Sequence, residues 1–107
     1  ILGLTFKENC PDLRNTRIVD IIEEFNSYNA AVDVYDPWVN HQEAEEEYGI
    51  TPIEKPQPGT YDAVVMAVAH REFVEMGSEA IRALGKEGAV LYDVKSLFPA
   101  SEVDGRL

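Results

Sequence analysis

The chain has 107 residues, 45% of them apolar, and a net charge of −11 with a pI near 4.4. That length and apolar fraction make one domain around one core and exclude a disordered chain. The acidity excludes broad binding to nucleic acid or an anionic membrane, both of which need basic surfaces.

Ile1–Phe6 is apolar and β-prone and reads as a buried strand, with Gly3 allowing another backbone to come close. Lys7–Asn15 is a loop with turn chemistry at Pro11 and Asp12. Asn15 or Thr16 is placed to cap a helix over about 16–28, striped by Ile18, Val19, Ile21, Ile22 and Phe25 and ended at Asn29. Ala31–Tyr35 reads as the second strand, closed by Asp36-Pro37. Asn40 caps a helix over about 41–48, ended by Gly49, and its run of glutamates marks a solvated face. Ile50–Ile53 reads as a short strand, followed by a rigid connection through Pro52, Pro56, Pro58 and Gly59. Ala63–Val68 is the most continuous apolar run and reads as a central parallel strand. A short helical stretch begins at Glu72–Glu75, and Ser78 is placed to cap another over about 79–84. Gly85 and Gly88 flank a turn, Ala89–Val94 is the next strand, and Pro99–Leu107 reads as a tail.

Strands thus alternate with helices, and the best strands are apolar throughout. This predicts an α/β, three-layer doubly wound (Rossmann-like) domain with a mainly parallel sheet over residues 1–107. Such folds bind ligands at the carboxyl ends of their strands. The polar residues just past those ends are Lys7 and Arg14, Asp36, His70, and Asp93 with Lys95. A single cysteine leaves no internal disulfide and no multi-cysteine metal site, which suits a reducing, cytoplasmic setting. No apolar run approaches the ~20 residues of a membrane span.

Each candidate has a sharp and a plain reading. Lys7 and Arg14, beside a helix N-terminus, read either as a phosphate or pyrophosphate site or as surface cations, with Arg14 pairing with Asp12 or with the acidic helix. Cys10 reads as a small loop residue beside Pro11 rather than a thiolate nucleophile, since no histidine lies near it in sequence. His70 reads as a polar residue opening a loop, ahead of an acid–base group, and with only His41 beside it a histidine metal site is not expected. Asp36 could hold ribose hydroxyls, but the first loop lacks G-x-G-x-x-G, so Asp36-Pro37 reads as a turn. Asp62 reads as structural, and Asp93 as ordering its loop or holding Lys95. Trp38 reads as covering the core edge with its N–H bonded, the alternative being a stacking surface.

The stretch Gly3-Leu4-Thr5-Phe6-Lys7-Glu8-Asn9-Cys10-Pro11-Asp12-Leu13-Arg14-Asn15-Thr16 resembles the signature G-L-x-F-K-x-x-x-x-D-x-R-x-S/T. That signature opens the C-terminal, UDP-sugar-binding domain of the UDP-glucose/GDP-mannose dehydrogenase family. The resemblance continues through Val34-Tyr35-Asp36-Pro37, Ala67-Val68-Ala69-His70-Arg71-Glu72-Phe73 and Leu91-Tyr92-Asp93-Val94-Lys95. Its wording is similar to the branch acting on UDP-N-acetylhexosamines for bacterial surface polysaccharides. The resemblance implies that Phe6 and Lys7 contact the UDP-sugar and that Arg14 reaches the NAD pyrophosphate across a cleft between domains. It implies that Asp12 orders these cations and that Lys95 stands where many relatives have a UDP-binding Arg. A Lys there is a point charge without the bidentate fork.

The family's catalytic Cys and its NAD-binding domain would then lie upstream, so this chain holds no catalytic residue and is inert alone. The chain begins without Met, directly on a strand, as expected of a piece of a longer protein. The family reaction is a two-step oxidation of the sugar C6 alcohol to a carboxylate through a thiohemiacetal and a thioester. The implied partners are the UDP-sugar, the remaining domains of the parent chain and further copies of it in a homo-oligomer. Two other classes compete: a receiver-like signalling module and a purely structural or oligomerisation domain. The receiver would need an acidic pair after the first strand to hold Mg²⁺, where Thr5-Phe6-Lys7 stands.

Overall fold

β1 (Tyr61–Met66) and β2 (Gly85–Asp93) lie side by side as a parallel pair in a computed structural model that describes residues 1–107. Val64, Val65 and Met66 are β-prone and buried, and the pleat sends them alternately to the two faces. Val65 joins a core with Ile18 and Ile22 of α1 (Ile18–Ser27) and Ala44 of α2 (His41–Tyr48). Val64 and Met66 join the opposite core, with Phe73 and Ile81 of α3 (Arg71–Arg82) and Leu91 of β2. Helices therefore cover both faces of a parallel sheet, the three-layer α/β architecture expected.

The sheet extends on both sides of this pair. Leu2 bridges Met66 on one side and Tyr35 on the other, both in parallel sense. Across the sheet the order is thus Tyr35, Leu2, β1, β2, with β3 (Gly105–Arg106) paired parallel to β2 at the far edge. The two expected strands Ile1–Phe6 and Ala31–Tyr35 contribute one bridge residue each, not full ladders. Gly3 explains the early exit. Its φ is +105°, and a Cβ there would stand 2.6 Å from the Val68 Cβ and 2.7 Å from the Val68 nitrogen. The backbone turns out of the ladder at the residue where only glycine fits.

The helix signals were accurate where capping chemistry is strong. Asn40 accepts from the Glu43 N–H at 2.9 Å, and Gly49 closes α2 in the left-handed region, φ 66°. Asn29, also left-handed at φ 62°, follows α1. Thr16 does not cap α1 at its expected start. Its hydroxyl donates to the Leu4 carbonyl at 2.6 Å while accepting from Ile18 N–H, so the helix begins at Ile18.

Four expectations are corrected. Ile50–Ile53 forms no strand, although Ile53 N–H bonds the Val34 carbonyl. α3 starts at Arg71 and breaks at Gly77, φ 78°, into the two helical pieces expected, but the Ser78 hydroxyl donates to Glu102. The Gly85–Gly88 turn lies within the bounds of β2, where the register jumps from Tyr61–Gly85 to Ala63–Val90. The stretch read as a tail is structured. It carries a short 3₁₀ turn, Ala100–Glu102, then β3, with Asp104 accepting from Leu91 N–H at 2.7 Å and from Arg82 at 3.0 Å. No helix is long and apolar enough to cross a membrane.

Candidate functional site

The carboxyl edge of the sheet is organised by Asp36, fully buried at the end of the Tyr35 segment. Its Oδ2 accepts from Leu4 N–H at 2.7 Å and Thr5 N–H at 3.0 Å, and its Oδ1 from Trp38 N–H at 2.7 Å. His70 Nε2 lies 2.9 Å from the same Oδ2. Burial pushes the Asp36 carboxyl up. The bonds from His70, Leu4, Thr5 and Trp38 outweigh that and hold it below the usual carboxylate range. Asp36 therefore stays ionised, and it is more than the turn residue the sequence suggested.

His70 is also fully buried, lying between the Trp38 ring, 6.1 Å away, and the Phe73 ring, 5.7 Å away. Asn9 N–H reaches its Nδ1 at 2.9 Å. A backbone N–H only donates, so Nδ1 accepts and the proton sits on Nε2, shared between Asp36 Oδ2 and Thr5 Oγ1 at 3.1 Å. The Thr5 hydroxyl in turn donates to the Lys7 carbonyl at 3.3 Å. Read from sequence as the plain start of a loop, His70 is instead the hub of a buried polar network. Its partners stand 34 to 65 residues away, so no local pattern could reveal them.

This network carries the Phe6–Arg14 loop. Phe6 N–H bonds the Asp12 carbonyl at 2.7 Å and closes the loop's base, while buried Leu13 anchors its far end. Phe6 is half exposed, and Lys7 stands in solvent with no ion-pair partner. Arg14 makes a two-point contact with Asp12, Nε to Oδ1 and Nη2 to Oδ2, each at 3.0 Å, and leaves Nη1 free. Those hydrogen bonds hold the Asp12 carboxyl below its usual range, with a weaker pull from Lys7. The pairing with Asp12 envisaged in the plain reading is real, yet the Arg14 side chain remains 85% exposed and open to an anion.

Lys95 sits past β2 on a turn held by the other buried carboxylate. Asp93 accepts from Lys95 N–H at 3.1 Å and from Phe98 N–H at 2.8 Å. It orders the loop through backbone donors and does not hold the Lys95 ammonium. Trp38 donates its indole N–H to Glu72 at 2.8 Å, and the Arg71 guanidinium lies 4.9 Å from its ring centre. Asp62 is exposed and pairs with Lys86. Cys10 is half-buried in the loop, and no three His, Cys, Asp or Glu side chains converge to hold a metal.

A depression of about 530 Å³ opens at the opposite edge, between α1 and the start of β1. Its walls contain Asp33 and Asp62 and no Lys or Arg, so a phosphate ligand gains nothing there. The carboxyl edge instead carries Lys7 and Arg14 on one loop and Lys95 on the turn after β2.

Comparisons with known proteins give the family and the fold. Residues 1–100 match the model of the UDP-glucose/GDP-mannose dehydrogenase family, UDP binding domain. The chain is 57% identical over its full length to a UDP-N-acetyl-D-glucosamine 6-dehydrogenase of Pseudomonas aeruginosa and 52% identical to one of Salmonella typhi. It spans 25% of each. It is 38% identical over 104 residues to Protein CapL of Staphylococcus aureus. A UDP-D-ManNAc dehydrogenase structure from Pyrococcus horikoshii superposes on 98% of the chain with a TM-score of 0.67 at 25% identity, and the match takes up 23% of that chain.

Proposed function

Because the chain belongs to the UDP-glucose/GDP-mannose dehydrogenase family, we propose that it is the C-terminal, UDP-sugar-binding domain of a longer, cytoplasmic NAD-dependent 6-dehydrogenase. The substrate is a UDP-N-acetylhexosamine, oxidised at C6 in the making of bacterial surface polysaccharide. One observation carries this reading: an exposed Phe6-Lys7 pair and a solvent-facing Arg14 are held at the carboxyl edge by the buried Asp36–His70 network.

The exposure and pairing of these side chains support the following roles. Phe6 offers an apolar face to the sugar nucleotide, and Lys7 an unpaired ammonium to its phosphates. Lys95, on the turn after β2 at the same edge of the sheet, adds a second charge. On a domain of net charge −11, these local cations must outweigh a repulsive far field, which salt screens beyond about 8–10 Å. NAD supplies the oxidant. The first loop of this chain has no glycine from Leu4 to Thr16, so that loop does not carry the G-x-G-x-x-G fingerprint. Arg14, with Nη1 free, suits a single contact to a cofactor phosphate. The chemistry itself belongs to other domains of the parent, which assembles as a homo-oligomer.

The test is UDP-N-acetylglucosamine-dependent NADH formation by the full-length protein. Lys7→Ala should raise KM for the sugar nucleotide, and Arg14→Ala should raise KM for NAD. Unchanged constants in both variants reject these roles.

A further inference from the structure

We propose that His70 is a positioning residue for the sugar-nucleotide site, setting the Lys7 loop through Asn9 and Thr5 in its neutral Nε2–H form. The proposal rests on the reading of that loop as the ligand contact.

Between Phe6 and Asp12, Asn9 is the one residue bonded to a distant part of the fold, and it is bonded twice. Its N–H donates to His70 Nδ1 at 2.9 Å, and its Oδ1 accepts from Arg71 N–H at 2.7 Å. These two bonds clasp adjacent residues, 61 and 62 positions away. Asn9 adopts a left-handed φ of 55°, which reverses the loop over the imidazole and which Asn tolerates better than most residues. On the other side, His70 Nε2 touches Thr5 Oγ1, whose hydroxyl bonds the Lys7 carbonyl. One imidazole therefore reaches the loop backbone at two points, the Lys7 carbonyl through the Thr5 hydroxyl and the Asn9 N–H directly. Asp36 selects its tautomer by accepting at Nε2, which leaves the Nδ1 lone pair for Asn9.

Two variants at this position separate the halves of the device. His70→Gln places an amide where Nε2 stands and keeps a partner for Asp36, but offers no acceptor to Asn9. His70→Asn does the reverse. Both are measured in the full-length protein by calorimetric titration with UDP, by KM and kcat for UDP-N-acetylglucosamine, and by hydrogen exchange of the Phe6–Asp12 segment. His70→Gln is expected to exchange faster in that segment, and to weaken UDP binding and raise KM by about three- to tenfold, the scale of one hydrogen bond, with kcat unchanged. His70→Asn is expected to lose thermal stability and yet bind UDP more tightly than His70→Gln. In a Lys7→Ala background, His70→Gln should weaken UDP no further, because it acts through Lys7.

Wild-type UDP affinity in His70→Gln, or an effect that adds in full to that of Lys7→Ala, overturns the positioning role. Unchanged exchange of Phe6–Asp12 overturns the clasp without reference to ligand. A wild-type protein that binds no UDP overturns the site reading instead. Should His70→Gln not fold, Thr5→Val keeps the side-chain shape and removes the hydroxyl that joins His70 Nε2 to the Lys7 carbonyl. It should weaken UDP binding by a smaller factor, and wild-type affinity there counts against the proposal.

Discussion

Asp36 and Asp93 are both fully buried carboxylates at the same edge of one sheet. Their partners differ. Asp36 gathers Leu4, Thr5 and His70 from 31 to 34 residues away, along with its neighbour Trp38. Asp93 takes two backbone donors from its own turn, two and five residues ahead. The first carboxylate therefore ties separate chain segments into one edge, while the second shapes a local turn. Lys7 is set by the global tie and Lys95 by the local one, so the two cations should respond differently to damage at a distance.

The largest effect should come from Asp36→Ala. It strands four donors, including the buried imidazole, and should cost about 3–5 kcal/mol in chemical denaturation. Asp93→Ala strands two backbone N–H groups beside a turn open to water, and about 1–3 kcal/mol is expected. Equal losses at the two positions would erase the contrast between long-range and local ties.

Much of this architecture is legible without coordinates, because the signals are local. The Asn40 and Gly49 caps of α2, the apolar face of α1 and the run that becomes β1 all rest on chemistry within a few residues. The cationic loop is legible through its motif. What escapes is non-local. His70 looks like any polar residue after a strand, since its bonds to Asn9, Thr5 and Asp36 close only in three dimensions. The same holds for the last nine residues, whose polar composition hides the bond from Leu91 to Asp104 and the pairing of β3 with β2. The Ile1–Phe6 strand fails for a steric reason, the Gly3 turn against Val68.

Acid gives a subtler view of the Asp36 tie. Its carboxyl lies below the ordinary 3.8 in the folded protein, so its ionised form is favoured by folding. That contribution is present above 3.8 and is lost as pH falls through the lower, folded value. Asp36→Asn lacks it. The stability gap between wild type and Asp36→Asn should therefore be widest near neutrality and narrow steadily below pH 3.8. A gap constant with pH would mean that the amide fails through geometry alone.

The smallest effect, and the sharpest on the local side, is at Lys95. It is exposed and forms no ion pair, so its removal should leave the unfolding midpoint unchanged. In the proposed ligand contact it is a point charge that loses strength to water and offers no second donor in a fixed plane. Lys95→Ala should weaken UDP binding by about two- to fivefold, in keeping with a solvent-exposed charge pair. Lys95→Arg should tighten it by a similar factor, because a guanidinium on the same Asp93-held turn engages two phosphate oxygens at once. Asp93→Ala should abolish the gain from Lys95→Arg while leaving the Lys7 contribution intact, since the Lys7 loop hangs from Asp36 and His70. A gain that survives the loss of Asp93 would show that the turn does not preset this cation, and the two edges would then differ only in stability.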